Sequence, residues 1–160
     1  MTLTPVKMDF PAEANIIIGQ THFIKTVEDL YEALVTSHPA LKFGIAFCEA
    51  SQERLVRWDG NDQELIDSAV ANAQAIGAGH VFVIVLREGF PINVLNSIKS
   101  CPEVCTVFCA TANPVEVIVI ERELGRGVLG VVDGMTPAGV ETEENQKVRK
   151  EFLRRIGYKR

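Results

Sequence analysis

The sequence predicts an α/β fold, a layered sandwich in which helices flank a mixed β-sheet. Short apolar runs that end in polar or glycine-containing loops alternate with segments whose apolar residues recur at helical spacing. The most apolar run, residues 81–86, needs cover on both faces, which favours a central strand between helices. Between two later strand-like runs, Asn113 and Pro114 form a turn signal, which predicts some antiparallel pairing.

The strand predictions rest on alternating or continuous apolar residues between turn signals. The run at 42–50 places Glu49 at its end, and we expect the run at 56–58 to pair with it. We also expect the two runs beside Asn113 and Pro114 to form a hairpin. In chain order the predicted strands are 3–10, 15–18, 42–50, 56–58, 81–86, 106–110 and 115–121, followed by one inside the glycine-rich stretch 123–141.

The helix predictions rest on apolar residues at helical spacing and on capping signals. Thr26 and Asp62 are the predicted N-caps of the first two helices, and Pro91 suits the first turn of the third. The second helix ends at Gly77, and the last is highly charged. The predicted helices are 27–37, 63–76, one that begins at 89–91, and 143–156.

The glycine-rich stretch 123–141 is the most unusual segment, since it surrounds the apolar run 128–132 with five glycines, Arg126 and Asp133. A Gly-x-Gly-x-x-Gly pattern begins at Gly125, but the dinucleotide motif must follow a strand and open a helix. Here the β-branched run continues through the glycines, which predicts a turn, a strand and a second turn. Open glycine amides suit an anion, although a hairpin without a ligand explains the pattern equally well.

Length and composition limit the function. At 160 residues, with 47% hydrophobic and 23% charged residues, we predict a single domain over 1–160. The net charge of −5 argues against nucleic acid as a partner. No apolar run approaches membrane-spanning length and no signal peptide is visible, so we expect a cytoplasmic protein without membrane contact. The four cysteines lack metal-site spacing, which predicts reduced thiols and no metal site.

The loop 19–26 is the leading candidate for chemistry. His22 and Lys25 stand just before a predicted helix N-terminus, which favours anions and keeps an imidazole neutral and nucleophilic. His80, which leads a buried strand, is the second-choice histidine, and His38 before Pro39 is expected to be idle. A packed or solvated histidine without a role is the alternative for each of them.

A purine nucleoside needs a flat apolar surface, amides for the base and carboxylates for the ribose hydroxyls. The sequence offers candidates of each kind, although core aromatics, turn asparagines and a capping aspartate are their simpler explanations. No phosphate-binding loop of the Walker type and no protein-kinase motif set is present. The candidates are Trp58, Phe23 and Phe90 for the surface, Asn61, Asn93 and Asn113 for the base, and Glu49, Asp62 and Asp133 for the ribose.

The chain resembles the adenosine-specific kinase family in long segments spread over nearly its whole length. The segments are GQTHFIKTVEDLY at 19–31, KFG at 42–44, GND at 60–62, FPINVLN at 90–96, ATANP at 110–114, VVDG at 131–134 and IGYK at 156–159. The resemblance implies a cytosolic α/β sandwich that binds adenosine and AMP, assembles as an oligomer, with a trimer expected, and carries a phosphoryl group on a histidine. We assign that histidine to His22, with His80 second. Gln52 stands in a turn where this family is expected to have glycine.

Together these observations predict an adenosine- or AMP-binding phosphotransferase acting through a phosphohistidine, with a non-catalytic adenosine or AMP sensor as the alternative. No cofactor is required by the motifs, and Mg²⁺ is the one candidate. The polar loops are expected to converge at one edge of the sheet. The predicted catalytic residues are His22, Lys25 and Asp133, and the predicted ligand-binding residues are Gln20, Glu49, Asn61, Asn93, Asn113, Arg126, Gly127 and Gly134.

Overall fold

Residues 2–160 are described by a computed structural model. Within that range the chain forms eight strands and four helices. In chain order they are β1 (Thr2–Lys7), β2 (Asn15–Thr21), α1 (Thr26–Ser37), β3 (Lys42–Cys48), β4 (Val56–Gly60), α2 (Gln63–Ile76), β5 (Val81–Arg87), α3 (Pro91–Lys99), β6 (Val104–Thr111), β7 (Val115–Arg122), β8 (Gly125–Asp133) and α4 (Glu143–Arg155).

The strands form two antiparallel sheets. The larger sheet has the order β4-β3-β5-β2-β6 and the smaller has the order β1-β7-β8, with every pair of neighbours antiparallel. The predicted α/β class is confirmed, and so are the central place of β5 and the pairing of β3 with β4. The sheet is not mixed, however, because α1, α2 and α3 each join two strands that enclose a third. Strands joined by a crossover therefore run the same way without being hydrogen-bonded neighbours.

The predicted hairpin around Asn113 and Pro114 is wrong. β6 pairs with β2 in the larger sheet, whereas β7 pairs with β1 and β8 in the smaller one. The turn therefore carries the chain from one sheet to the other. A turn signal fixes a local change of direction, but it does not decide which strands become neighbours.

The larger sheet is covered on both faces. On one face, Ile17, Phe43 and Ile84 share an apolar cluster with residues of α1 and α3. On the other face, Ile18 and Val83 share a cluster with residues of α2 and of the smaller sheet. The molecule thus has three layers, and β5 runs through the middle one with residues 81–86 buried.

The ends of the helices follow the predicted signals at α2 and α3 but not at α1. Asp62 caps α2 by accepting a hydrogen bond from the Leu65 N–H, and Pro91 occupies the first turn of α3. At α1 the capping position is Lys25 and makes no side-chain cap. The Thr26 hydroxyl instead donates a hydrogen bond to the Phe23 carbonyl and also forms one with Thr21 Oγ1 of β2, at 2.6 Å in each case. Thr26 therefore connects the start of α1 to the sheet and does not cap the helix.

The glycine-rich stretch forms a turn at residues 123–124 and then strand β8, as predicted, whereas the second turn predicted at 134–139 is only a bend at Gly134 followed by irregular chain. β8 pairs with β7 from Gly125 to Asp133, and Gly134 takes a left-handed φ of 69° that suits glycine. Gln52 also adopts a left-handed φ, 58°, in the turn where a glycine is expected in the family.

The two ends of the larger sheet matter for the site. We call "the His22 end" the end where β2 and β3 finish and β4, β5 and β6 begin, and "the Asn113 end" the other one. A strand rises about 3.3 Å per residue, so the ends of the seven-residue β2 are about 20 Å apart. No helix within residues 2–160 is both long enough and apolar enough to span a membrane.

Candidate functional site

A cleft of about 830 Å³ opens at the His22 end, between the larger sheet, the last turn of α2 and the β7–β8 hairpin. This volume falls in the range of small-molecule sites. The hairpin is attached there by a backbone bridge between Ala78 and Arg126. The charged residues and glycines of the wall are Glu49, Arg54, Gly77, Gly79, Arg122, Gly125, Arg126 and Gly127.

Glu49, just after β3, is the carboxylate of this cleft. Its oxygens accept a hydrogen bond from the Leu55 N–H at 3.0 Å and from Arg57 Nη2 at 3.2 and 3.3 Å. The Leu55 N–H, and then Arg57, hold the pKa of Glu49 below its usual value against the opposing effect of partial burial. Glu49 is therefore ionised at neutral pH, and it can accept hydrogen bonds from hydroxyl groups.

Arg126 lies at the base of the cleft, against the C-terminal end of α2. Its Nη1 donates to the carbonyls of Ala75 at 3.0 Å and Ile76 at 3.4 Å, and its Nη2 donates to Glu121. Carbonyls at the end of a helix carry partial negative charge, so a guanidinium is well placed there. These contacts fasten the smaller sheet to α2 and fix one positive charge in the wall.

Arg54 and Arg122 also line the cleft, and neither was among the predicted site residues. Arg54 sits in the β3–β4 turn with a left-handed φ of 55°, a strained conformation for arginine. Arg122 ends β7, next to the glycine-rich stretch. Arg126 is paired with Glu121 and Glu49 with Arg57, so Arg54 and Arg122 give the cleft the positive charge that favours an anionic ligand. Nearness to the glycine-rich stretch could have indicated Arg122, but no local signal distinguished Arg54.

Two glycines let the walls approach each other. Gly77 ends α2 in a left-handed conformation, with φ of 60°. A Cβ at Gly79 would lie 2.9 Å from the Cβ of Ala50, so a larger residue there would push the loop after β3 away from the loop before β5.

His22 and Lys25 follow β2 at the same end of the sheet. The His22 side chain is exposed, and its ring stacks against Phe23 with centroids 6.2 Å apart. The expected anion site at the start of α1 is not open, because the N–H groups of Thr26 and Glu28 donate to the carbonyls of Phe23 and Lys25. Lys25 forms an ion pair with Asp29, and its Nζ lies 3.9 Å from Glu103 Oε1.

His80 lies in the turn immediately before β5, directly beside the end of β2. Its carbonyl accepts the Thr21 N–H at 2.9 Å and its N–H donates to the Cys48 carbonyl at 2.7 Å. The residue has a left-handed φ of 64°, and its partly buried ring stacks on Phe47 at 5.9 Å. Gln20, one residue before Thr21, is exposed on β2 opposite Val81. Both candidate histidines therefore stand at the end of the sheet where the cleft opens.

Asn113, Asp133 and Gly134 form a separate group at the Asn113 end. The Asn113 amide donates to Asp133 Oδ1 at 3.2 Å, and the Gly134 N–H donates to the Pro114 carbonyl at 3.0 Å. Asp133 is seven residues from Arg126 along β8, which corresponds to more than ~20 Å. Within one chain, Asp133 therefore does not share a site with His22 or Arg126.

Asn61 and Asn93 are engaged in local structure at the Asn113 end. Asn61 accepts the Phe43 N–H at 2.9 Å and donates to the Leu41 carbonyl at 2.8 Å, which ties the turn before α2 to β3. Asn93 accepts the Phe90 N–H at 2.9 Å at the start of α3. The structure thus splits the predicted site residues. Those at the His22 end are Gln20, His22, Lys25, Glu49, His80, Arg126 and Gly127, and those at the Asn113 end are Asn61, Asn93, Asn113, Asp133 and Gly134.

The part of the chain that the structure describes contains no group of three or more His, Cys, Asp or Glu side chains arranged to hold a metal ion. Cys48, Cys101, Cys105 and Cys109 are free thiols. Burial raises the pKa of both Cys48 and Cys109 to about 11, which keeps these two thiols protonated at neutral pH.

Comparison with known proteins identifies relatives of the whole chain. The family model described as Adenosine specific kinase matches residues 6–159. A crystal structure of the PH1918 protein from Pyrococcus horikoshii OT3 is 48% identical, covers 99% of this chain and 98% of its own, and superimposes with a TM-score of 0.96. A search of curated proteins found no match.

Proposed function

The chain belongs to the adenosine-specific kinase family, and we propose that it binds adenosine or AMP in the cleft at the His22 end and transfers a phosphoryl group through a histidine. The observation that carries the proposal is the cleft itself, which combines an ionised carboxylate with three arginines at the end of the sheet where two candidate histidines lie. Ribose hydroxyls need an acceptor and a nucleotide phosphate needs cations, and this wall offers both.

In the bound complex, Glu49 would accept hydrogen bonds from the ribose. Arg54 and Arg122 would contact the phosphate, because Arg126 is held by the carbonyls of α2. Arginine suits this task because its planar fork matches two phosphate oxygens at once. The glycines at 125 and 127 leave room for the ligand beside β8.

We propose His22 as the phosphoryl acceptor, with His80 as the alternative. A phosphoanhydride donor such as a nucleoside triphosphate would transfer its terminal phosphoryl group to an imidazole nitrogen, forming an N–P bond and releasing the diphosphate. The 5′-hydroxyl of adenosine would then attack phosphorus. The N–P bond breaks, the nitrogen regains its electron pair and the hydroxyl proton passes to solvent. Such transfer depends mainly on positioning and on cations, which supports a role for the cleft arginines.

Mg²⁺ would have to be held largely by the nucleotide, because no cluster of ligands for a metal occurs within residues 2–160. Among the described residues of the cleft wall the only carboxylate is Glu49, which already accepts hydrogen bonds from Leu55 and Arg57.

We further propose that the protein is a homo-oligomer, with a trimer as the expected state. The support comes from α4, which contributes no buried residue to the described chain although Val148, Phe152 and Ile156 are spaced to form one apolar stripe. A role for Asp133 on a substrate hydroxyl is proposed only at a site shared between subunits, because within one chain this carboxylate lies at the other end of the sheet.

Binding is tested by calorimetric titration with AMP and with adenosine. We expect Arg122→Gln to weaken AMP binding about tenfold while adenosine binding changes little, because the lost contact is to phosphate. Arg160→Gln removes an arginine outside the cleft and serves as the matched control. Equal losses of affinity for AMP and adenosine, or no loss of affinity for AMP, would show that the phosphate binds elsewhere.

Transfer is tested by incubating the protein with a labelled nucleoside triphosphate, with and without adenosine, and following the intact mass and the products. We expect an acid-labile gain of one phosphate that is absent in His22→Gln and present in His80→Gln. The reverse pattern would assign the role to His80. Tight AMP binding without any mass gain or product would support a non-catalytic sensor instead.

A further inference from the structure

Glu103 is a buried carboxyl group that the proposed reaction does not use. It lies directly before β6, and its side chain is only 2% exposed. Within residues 2–160 neither carboxyl oxygen forms a hydrogen bond with an N–H or O–H donor, and Lys25 Nζ is 3.9 Å from Oε1. An ionised carboxylate in such a place would lose its hydration without adequate replacement.

The neighbouring groups explain how this carboxyl is accommodated. Asp29 of α1 forms an ion pair with Lys25, and the same Lys25 Nζ lies 3.9 Å from Glu103 Oε1, so two carboxyl groups face one ammonium. Burial, and then the neighbouring Asp29 carboxyl, raise the pKa of Glu103, whereas Glu103 and then Lys25 lower the pKa of Asp29. The other titratable group nearby is the Cys101 thiol, whose pKa is raised first by burial, so it is neutral.

The backbone of Glu103 also contacts the beginning of the turn that carries His22 and Lys25. Its carbonyl accepts the His22 N–H at 3.1 Å and the Thr21 hydroxyl at 3.0 Å. The residue therefore contacts the turn at both ends. Its main chain fixes His22, and its side chain contacts the Lys25–Asp29 pair at the start of α1.

We propose that Glu103 is a positioning residue: its neutral side chain is buried beside the Lys25–Asp29 pair, and with its main-chain contacts to Thr21 and His22 it holds the turn carrying His22 and Lys25 against the start of β6. This inference rests on the proposed function insofar as His22 is the phosphoryl acceptor. With Glu103 protonated, one ammonium faces one carboxylate. When Glu103 ionises, two carboxylates face one ammonium, and their repulsion loosens the turn.

The direction of the pH effect follows from the raised pKa. Below the pKa of an exposed glutamate, both the docked and the released turn carry the proton, and docking is fully favoured. As the pH rises towards the higher pKa of docked Glu103, the released turn gives up its proton first and becomes progressively more favoured. Glu103→Gln keeps a neutral hydrogen-bond donor at every pH, so its turn stays docked.

The first test needs no nucleotide. We expect the Glu103 carboxyl ¹³C signal to titrate at a higher pH than that of glutamate in a short unstructured peptide. Hydrogen-exchange protection of residues 22–29 should fall as the pH rises, about tenfold for each unit by which the two pKa values differ. That dependence should vanish in Glu103→Gln and persist in the control Glu116→Gln. A Glu103 titration at the value of the peptide glutamate, or protection in the wild type that does not depend on pH, would overturn the proposal.

The second test follows histidine phosphorylation against pH. The wild-type rate should fall over the pH range in which Glu103 ionises, whereas Glu103→Gln should keep its rate. Glu103→Ala should lose roughly tenfold to hundredfold in rate with unchanged AMP affinity, since misplacement affects the reacting group and not the cleft. If the titration and exchange results hold but no histidine is phosphorylated, the positioning role stands and the proposed function fails. Phosphorylation without any of these pH effects would support the proposed function and overturn the positioning role.

Discussion

Gly44 sets the distance between β3 and α2 by having no side chain. A Cβ at this position would lie 2.2 Å from the Ile66 backbone nitrogen and 2.3 Å from the Leu65 carbonyl atoms. These are main-chain atoms in the first turn of α2, so no side-chain rotation can relieve the overlap. The close approach is required because α2 packs directly on the sheet at this point.

We therefore expect Gly44→Ala to destabilise the protein by roughly 3 kcal/mol, because the helix must move away from the sheet. Urea unfolding of the variant and the wild type gives the difference in the free energy of unfolding. Gly130→Ala is the matched control, since a Cβ there meets nothing within 4 Å and we expect little change. Similar stabilities for the two variants would contradict the packing argument.

At the same scale, part of the lining of the candidate cleft could be predicted from the sequence. Glu49 could be predicted because it ends an apolar strand, and Arg126 because it stands among glycines. The position of Arg54 in the cleft could not be predicted, because it depends on the β3–β4 turn reaching the wall of the cleft. The prediction groups Asn61 and Asp133 with His22 because of their chemical type alone. The directions of β4 and β8 place these two residues at the other end of the sheet.

Among the elements, the helix and strand positions were largely predictable and the strand order was not. Capping residues, proline and glycine are local signals, and they located α2 and α3 well. The pairing of strands depends on contacts between distant parts of the chain. In this fold α1 joins β2 to β3 with β5 between them, α2 joins β4 to β5 with β3 between them, and α3 joins β5 to β6 with β2 between them. No local sequence pattern indicates that a third strand lies between the two strands that each of these helices joins.

The start of α2 shows how one element is fixed to the sheet. Asp62 caps the helix through the Leu65 N–H and accepts a hydrogen bond from Arg87 of β5 at 2.7 Å. Arg87 also donates to Glu64 at 2.8 Å. Partial burial opposes ionisation of Asp62, but Arg87 and the Leu65 N–H outweigh it and lower the pKa of Asp62.

We expect Asp62→Ala to lower the free energy of unfolding by about 1–2 kcal/mol at pH 7, mainly through loss of the cap. Because the folded-state pKa is lowered, the stabilisation is present above the unfolded-state pKa and disappears as the pH falls through the folded-state value. Urea unfolding at pH 7 and at successively lower pH should therefore show a shrinking difference from the wild type. Asp67→Ala, on the exposed side of α2, is the control, and a penalty for Asp62→Ala that persists in acid would refute the ionic part of the argument.

At the scale of the whole molecule, α4 differs from the other helices. Each of α1, α2 and α3 contributes buried residues to an apolar cluster, but α4 contributes none in residues 2–160. A 13-residue helix is only marginally stable alone in water, so it needs a packing partner. Its caps and charges are favourable, with Thr142 bonded to Asn145 at the N-terminus and two arginines in the last turn. A second copy of the chain is the partner we propose.

Phe152→Glu tests this assembly, because glutamate keeps helix propensity but cannot be buried in an apolar interface. Light scattering after size-exclusion chromatography should give the wild type about three times the chain mass of 17.6 kDa, and Phe152→Glu should shift towards one chain mass. Lys150→Glu, on the opposite side of α4, should leave the assembly unchanged. If the wild type is a monomer, the oligomer proposal is wrong. If Phe152→Glu remains a trimer, the chains associate through another surface, and α4 needs a different explanation for its exposed apolar stripe.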